Sequence, residues 1–122
     1  MATLRKEAGD AAEQAALEHL QQRGLKLLHR NYHCRGGEID LVMIDGTALV
    51  LVEVRLRSDL RYGGAAASVD RRKQQRLTIA ARHLLTTHRE LGRYPARFDV
   101  VALEPQSDGL LKLEWIRDAF RL

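Results

Sequence analysis

One cysteine, Cys34, is all that the 122-residue chain contains, so no disulfide can close within it. None of the five histidines joins that thiol in the spacing of a zinc site, and Cys34 reads as a structural or surface residue. Long apolar runs are missing too. No segment approaches the ~18 consecutive apolar residues of a membrane span, and the opening Met1-Ala2-Thr3-Leu4-Arg5-Lys6 lacks the apolar stretch of a secretory leader. The expectation is a cytoplasmic protein with no membrane association. There is no internal repeat, low-complexity tract or linker, and the length leaves no room for a second core, so residues 1–122 are expected to form a single domain.

What is present fits that frame. Hydrophobic residues make up 45% of the chain and charged residues 30%, the balance of a globular domain with one core. The net charge of +4 permits attraction to phosphate polymers without requiring it, since many proteins carry such an excess for solubility.

Hydrophobic periodicity divides the chain. From Thr3 to Arg23, the positions Leu4, Ala8, Ala11, Ala12, Ala15, Ala16 and Leu20 recur at steps of three and four, which predicts an amphipathic helix stopped by Gly24. Leu25 to Tyr32 reads as a first strand, closed by the turn signal Arg35-Gly36-Gly37. Glu38–Ile44 and Thr47–Arg55 are rich in Val, Ile and Leu, and Asp45-Gly46 between them predicts a tight hairpin. The glycine- and alanine-rich stretch from Ser58 to Ser68 predicts a mobile loop. Asp70 can cap a second helix running to about Leu91, with Leu77, Ala80, Ala81, Leu84 and Leu85 as its apolar stripe. Phe98–Leu103 and Leu110–Ile116 complete the set as strands. The order is α-β-β-β-α-β-β, an α/β fold. Its third strand should cross through the second helix onto a parallel neighbour, giving a mixed central sheet with helices on both faces.

Alternation along the hairpin suggests where chemistry could sit. With Asp45-Gly46 as a two-residue turn, Ile44 faces Thr47, Glu38 falls opposite Glu53, and Asp40 opposite Leu51. Glu38, Asp40, Glu53 and Arg55 then share one face, while Ile39, Leu41, Met43, Val50, Val52 and Val54 point to the other. Carboxylates crowded on one ladder repel unless a cation lies between them, and hard oxygen donors favour Mg2+ or Mn2+. Glu13 lies about 20° from Leu20 on the first helix at 100° per residue, at the margin of the apolar stripe, so it could join them. Solvated strand-end charges and a helix-surface glutamate are the plain alternatives.

Arg71, Arg72, Lys73 and Arg76 crowd the opening turns of the second helix, with Gln74 among them. Positive charge there opposes the helix dipole by about 0.3–1 kcal/mol per charge, a cost that an anionic partner would offset. The same residues would serve equally as an exposed helix face. Arg97 and Asp99 share a strand face and are expected to pair with each other, and Trp115 and Phe120 are expected in the core.

Gly9-x-x-x-Glu13, Arg30-Asn31-Tyr32, Gly37-Glu38-Ile39-Asp40-Leu41-Val42, Val52-Glu53-Val54-Arg55, Lys73 and Arg97-Phe98-Asp99-Val100 resemble the YraN family of bacterial proteins over nearly the whole chain. The resemblance implies a restriction-endonuclease-like core near the archaeal Holliday junction resolvases. In those proteins a helix glutamate, a strand aspartate and a Glu-x-Lys strand bind metal and cut DNA. Carried over, these become Glu13, Asp40 and Glu53 as Mg2+ or Mn2+ ligands, with Arg55 as the fourth catalytic position. Glu38 and Gln74 are accessory candidates, and Arg71, Arg72, Lys73 and Arg76 are the candidate nucleic-acid contacts, of which Lys73 belongs to the resemblance. Glu38 can be an outer ligand or the partner of a basic residue. A homodimer follows by analogy only. Arg55 departs from the usual lysine: it stabilises charge but cannot act as a base. Two functions follow, a metal-dependent nuclease acting on DNA, branched or recombination intermediates included, and a nucleic-acid-binding or interaction module that keeps the fold with little cleavage.

Overall fold

The computed structural model of the chain describes residues 2–56 and 69–121. The loop expected from Ser58 to Ser68 lies outside the described residues. Helix α1 (Ala2–Gln22) is followed by strands β1 (Lys26–Cys34), β2 (Gly37–Asp45) and β3 (Ala48–Leu56), helix α2 (Arg71–Thr87), a short 3-10 turn (Arg89–Arg93), and strands β4 (Ala96–Pro105) and β5 (Leu111–Phe120). This is the expected order. The second helix stops at Thr87, short of Leu91, because the backbone leaves helical space at His88 (φ −118°, ψ 75°) and tightens into the 3-10 turn.

The five strands form one sheet in the order β1-β2-β3-β4-β5. Neighbours run antiparallel except β3 and β4, which are parallel and joined through α2. Each face carries one helix. Ala12, Ala16, Leu17 and Leu20 of α1 pack on Leu41, Met43, Val50, Val52, Val101 and Leu103. The alanines let the helix backbone lie close to the sheet, and Gly24, at φ 91°, ends the segment in the left-handed conformation. On the other face Leu77, Ala80, Ala81 and Leu84 of α2 cover Ile39, Val42, Leu49, Leu51, Phe98 and Val100. A fully buried leucine contributes ~1.5–3 kcal/mol, so Leu20, Leu77 and Leu84 anchor the two helices. This two-sided mixed sheet is the restriction-endonuclease-like core.

The start of α2 is fixed twice. Asp70 caps it, its Oδ1 accepting the backbone N–H of Lys73 at 2.9 Å. Gly37 then lets the helix backbone touch β2, since a Cβ there would lie 2.4 Å from the Arg76 carbonyl oxygen and 2.8 Å from Ala80 N. No side chain fits in that gap.

The hairpin register differs from the expectation by two residues. Asp45 pairs with Ala48 and Leu41 with Val52, so the turn is Gly46-Thr47. Gly46, at φ 60°, takes the first turn position, where a positive φ favours glycine. Glu38 is therefore not opposite Glu53, nor Asp40 opposite Leu51; the register leads Asp40 toward Glu53. The single shared face is also corrected. Ile39 and Val42 both pack on the α2 side, whereas Leu41 and Met43 pack on the α1 side, so alternation breaks between Ile39 and Leu41. The break lies across from Asn31, which β1 holds at φ 54° between the pairs Arg30–Leu41 and Tyr32–Ile39. Asparagine tolerates that conformation better than most residues.

Candidate metal centre and nucleic-acid interface

The break in β2 gives the candidate site its shape. Asp40 leaves the ladder, and its Oδ2 accepts the backbone N–H of Val54 at 2.8 Å. Asp40 lines a cavity of about 270 Å³ on the α1 side with Gly9, Asp10, Ala12, Glu13, Val54 and Leu56. Glu53 is 2% exposed and faces α2, where Lys73 Nζ lies 3.3 Å and Arg55 Nη1 3.9 Å from its Oε1. The two acids thus approach each other from opposite faces at the open end of the hairpin.

Their electrostatics follow from that placement. Burial pushes the Asp40 carboxyl up from its ordinary range, with Glu13 adding to the rise. The Val54 N–H and Lys73 oppose it. Glu53 is pushed up to about 8, first by burial and then by the Asp40 charge, against the pull of Lys73 and Arg55. Glu53 Oε2 and Arg55 Nε are buried without a hydrogen-bond partner. A buried oxygen with no partner is costly, on the order of 1–3 kcal/mol. Next to a second carboxylate, it is the donor a hard divalent cation would take.

Glu13 keeps its place by a different contact. Arg30 of β1 donates from Nε to Glu13 Oε1 at 2.8 Å and from Nη1 to Gln14 Oε1 at 2.9 Å. This holds Glu13 at the wall of the cavity that Asp40 lines. Among the described residues, no three acid, histidine or cysteine side chains are drawn close enough to enclose an ion. The structure therefore pairs Asp40 with Glu53 and leaves Glu13 at the cavity wall.

The basic residues divide. Lys73, named from sequence for the phosphate patch, reaches into the acid pair and also donates to Glu38 Oε1 at 3.5 Å. Arg76 Nη2 meets the same Glu38 oxygen at 3.5 Å, and His33 Nδ1 lies 3.7 Å from the other. Glu38 is thus paired with basic residues in this structure. Arg55, Asp70, Arg72, Lys73 and Arg76 line a second cavity of about 180 Å³ on the α2 side. Arg71 is exposed at the helix start. Gln74 donates from Nε2 to the Val69 carbonyl at 3.0 Å, which braces the start of α2.

Two contacts were not legible in the sequence. Lys73 was not placed at the acids, although Asp70 as a cap would have put it in the first turn, with its side chain directed back toward the strand ends. Arg30 appeared only within a motif, and spacing gives no sign of its clamp on Glu13. Arg97 and Asp99 pair as expected, with Nε to Oδ1 at 3.0 Å, and Arg97 also reaches Asp45 at 2.9 Å. Phe120 stacks on Phe98 with ring centroids 4.9 Å apart, and Trp115 packs against the α1-side core.

Comparison with known proteins finds relatives over most of the chain. The profile described as "Uncharacterised protein family UPF0102" matches residues 12–103, a span that holds Glu13, Asp40, Glu53, Arg55 and Lys73. A UPF0102 protein of Pseudomonas entomophila is 51% identical over 113 residues, covering 93% of this chain and 92% of the relative. One from Xanthomonas campestris pv. campestris is 52% identical over 122 residues, covering 100% and 98%. One from Alcanivorax borkumensis is 47% identical over 116 residues, covering 95% and 93%. The chain belongs to the UPF0102 family.

Proposed function

We propose that the protein is a divalent-metal-dependent nuclease that hydrolyses phosphodiester bonds in DNA, with branched or recombination intermediates as the substrates suggested by its resemblance to the resolvases. The observation that carries this reading is the buried Asp40–Glu53 pair, with an unpartnered carboxylate oxygen, set beside a wall of lysine and arginine. Asp40 and Glu53 would hold Mg2+ or Mn2+, with Glu13 supplying a further oxygen from α1. When bound, the ion would supply Lewis-acid stabilisation of the phosphoryl oxygens and lower the pKa of a water.

The chain's own groups do the rest. Lys73 restores, from α2, the primary amine that Arg55 lacks on β3, and its Nζ beside Glu53 is placed to hold a water hydrogen-bonded to that carboxylate. Arg55 keeps its charge at every relevant pH, so its role is to face the negative charge that grows on the phosphate. Arg72 and Arg76 neutralise neighbouring phosphates and fix the strand in the α2-side cavity. A nucleic-acid substrate is also in keeping with work in the cytoplasm, and among the described residues no helix is long and apolar enough to cross a membrane.

One observation favours a second reading, a nucleic-acid-binding module without cleavage. Lys73, Arg55, Glu53 and Glu38 already form ion pairs with one another, an arrangement that can persist without any cation. Incubation with four-way branched, single-stranded and duplex DNA in Mg2+ or Mn2+ separates the two. Cleavage that disappears in both Asp40→Ala and Glu53→Ala is expected. Cleavage unchanged in both variants removes this site, and binding without cleavage by the wild type favours the module.

A further inference from the structure

The two helices differ in charge as well as in position. α2 carries Arg71, Arg72, Lys73, Arg76 and Arg82 and no acidic residue. α1 carries Glu7, Asp10, Glu13 and Glu18 against Arg5 and Lys6. The cations of α2 are not spread evenly around it. Arg72, Arg76, Ile79 and His83 follow at i, i+4, i+7 and i+11, so they fall on one stripe, and all four are exposed. The stripe runs along the β1 side of the helix, because Ile79 packs against the turn between β1 and β2, where a Cβ on Gly36 would lie 3.8 Å from Ile79 Cδ1. Exposed Arg35 and His33 flank it from that turn and from β1.

The far end of the stripe is built. Tyr32, 5% exposed, shares a hydrogen bond between its Oη and His83 Nδ1, and the edge of the His29 ring meets the tyrosine. A buried phenol thereby fixes the ring of an exposed histidine and leaves Nε2 on the solvent side. With Tyr32 donating to Nδ1, the neutral ring presents Nε2–H as an outward donor. From Arg72 to His83 the helix rises about 16 Å. The near end opens onto the cavity beside Lys73 and Glu53.

The geometry points to a backbone-tracking groove: Arg72, Arg76 and His83, with Tyr32 as the positioning residue for His83, contact phosphates of a nucleic acid that leads away from the acid pair along the β1 side of α2. This rests on the nucleic-acid part of the proposed function and adds the path and direction of the strand. Charge alone would accept any polyanion. A row of donors along one rigid helix, ending at a paired acid site, fits a polymer with regularly spaced phosphates. Glu38 neutralises only part of the row, since Lys73, Arg76 and His33 share that one carboxylate.

Binding without chemistry tests it. Fluorescence anisotropy of labelled duplex and single-stranded DNA is followed in EDTA across a salt titration, with poly-glutamate as a competing polyanion. The Arg72→Gln/Arg76→Gln double variant is expected to weaken binding more than tenfold and to shrink the salt slope by about 1.8 on duplex or 1.4 on single strand, the counterion release of two phosphates. The form whose affinity falls more in the double variant is the one that occupies the groove. His83→Ala is expected to weaken binding several-fold, and Tyr32→Phe to give part of the same loss. Arg23→Gln and Arg117→Gln, exposed cations away from α2, are expected to stay within twofold of wild type. Equal losses in those controls, an unchanged slope in the double variant, or displacement by poly-glutamate as effective as by DNA overturns the groove. Wild type that binds no nucleic acid overturns both groove and function, whereas stripe-dependent binding without cleavage in metal leaves the groove standing and overturns only the hydrolase.

Discussion

Two carboxylates lie at nearly the same depth in neighbouring strands, Asp99 at 0% exposure and Glu53 at 2%, and their surroundings could hardly differ more. Asp99 accepts from Arg97 Nε at 3.0 Å and Nη2 at 3.3 Å, from Trp115 Nε1 at 2.9 Å and from the Asp118 backbone N–H at 2.9 Å. Every lone pair with access has a donor, and the cluster ties β4 to β5 where the register between them shifts. Glu53 has cations on one oxygen, nothing on the other, and Asp40 beside it. Burial alone does not mark a functional acid. A satisfied buried acid is a structural joint, and an unsatisfied one beside a second acid marks a candidate site.

The sharpest break in that comparison comes from removing the satisfied acid. Asp99→Ala leaves the Arg97 guanidinium with Asp45 alone and strands an indole N–H, and is expected to cost about 3–5 kcal/mol in denaturant unfolding. Gly37→Ala comes next. It forces a methyl group against the α2 backbone, with an expected loss of about 1–3 kcal/mol. Because α2 carries Lys73 and Arg76, the same change should lower DNA binding while leaving the Asp99 cluster intact.

A smaller effect separates the acids by pH. Glu53 titrates near 8 in the folded chain and near its ordinary value when unfolded, so between those values the folded state binds the extra proton. Stability from this group is therefore full at low pH and falls as pH rises toward about 8. Metal-free thermal melts should show a lower midpoint at pH 8 than at pH 5.5, and Glu53→Gln should flatten that slope, differing most from wild type at pH 8. A steeper slope in the variant contradicts the account. The smallest change is expected of Arg55→Lys, about threefold or less in cleavage, because Lys73 already supplies the amine and the charge is kept. A large gain there would mean that Arg55 limits the chemistry.

Much of this was legible in the sequence, for identifiable reasons. Apolar spacing gave the order of helices and strands because burial on two faces imposes it. Glu53 and Arg55 lie on a regular strand, so alternation placed them correctly. The hairpin register did not follow. A slip of two residues keeps every side chain on its own face, and only the backbone at Gly46 distinguishes the turns. The break at Asp40 depends on a positive φ at Asn31, one residue in another strand, and no periodicity contains it. Lys73 meets Glu53 across 20 positions of sequence, a contact that only the docking of α2 on Gly37 creates.

The central claim is that Asp40 and Glu53 await a cation where Asp99 does not. Calorimetric titration of the apo-protein with Mn2+ at pH 8 tests it most directly. The account predicts saturable binding that is lost in Asp40→Asn/Glu53→Gln and kept in an Arg97→Lys variant. Absence of binding by the wild type, or equal binding by the double variant, contradicts it.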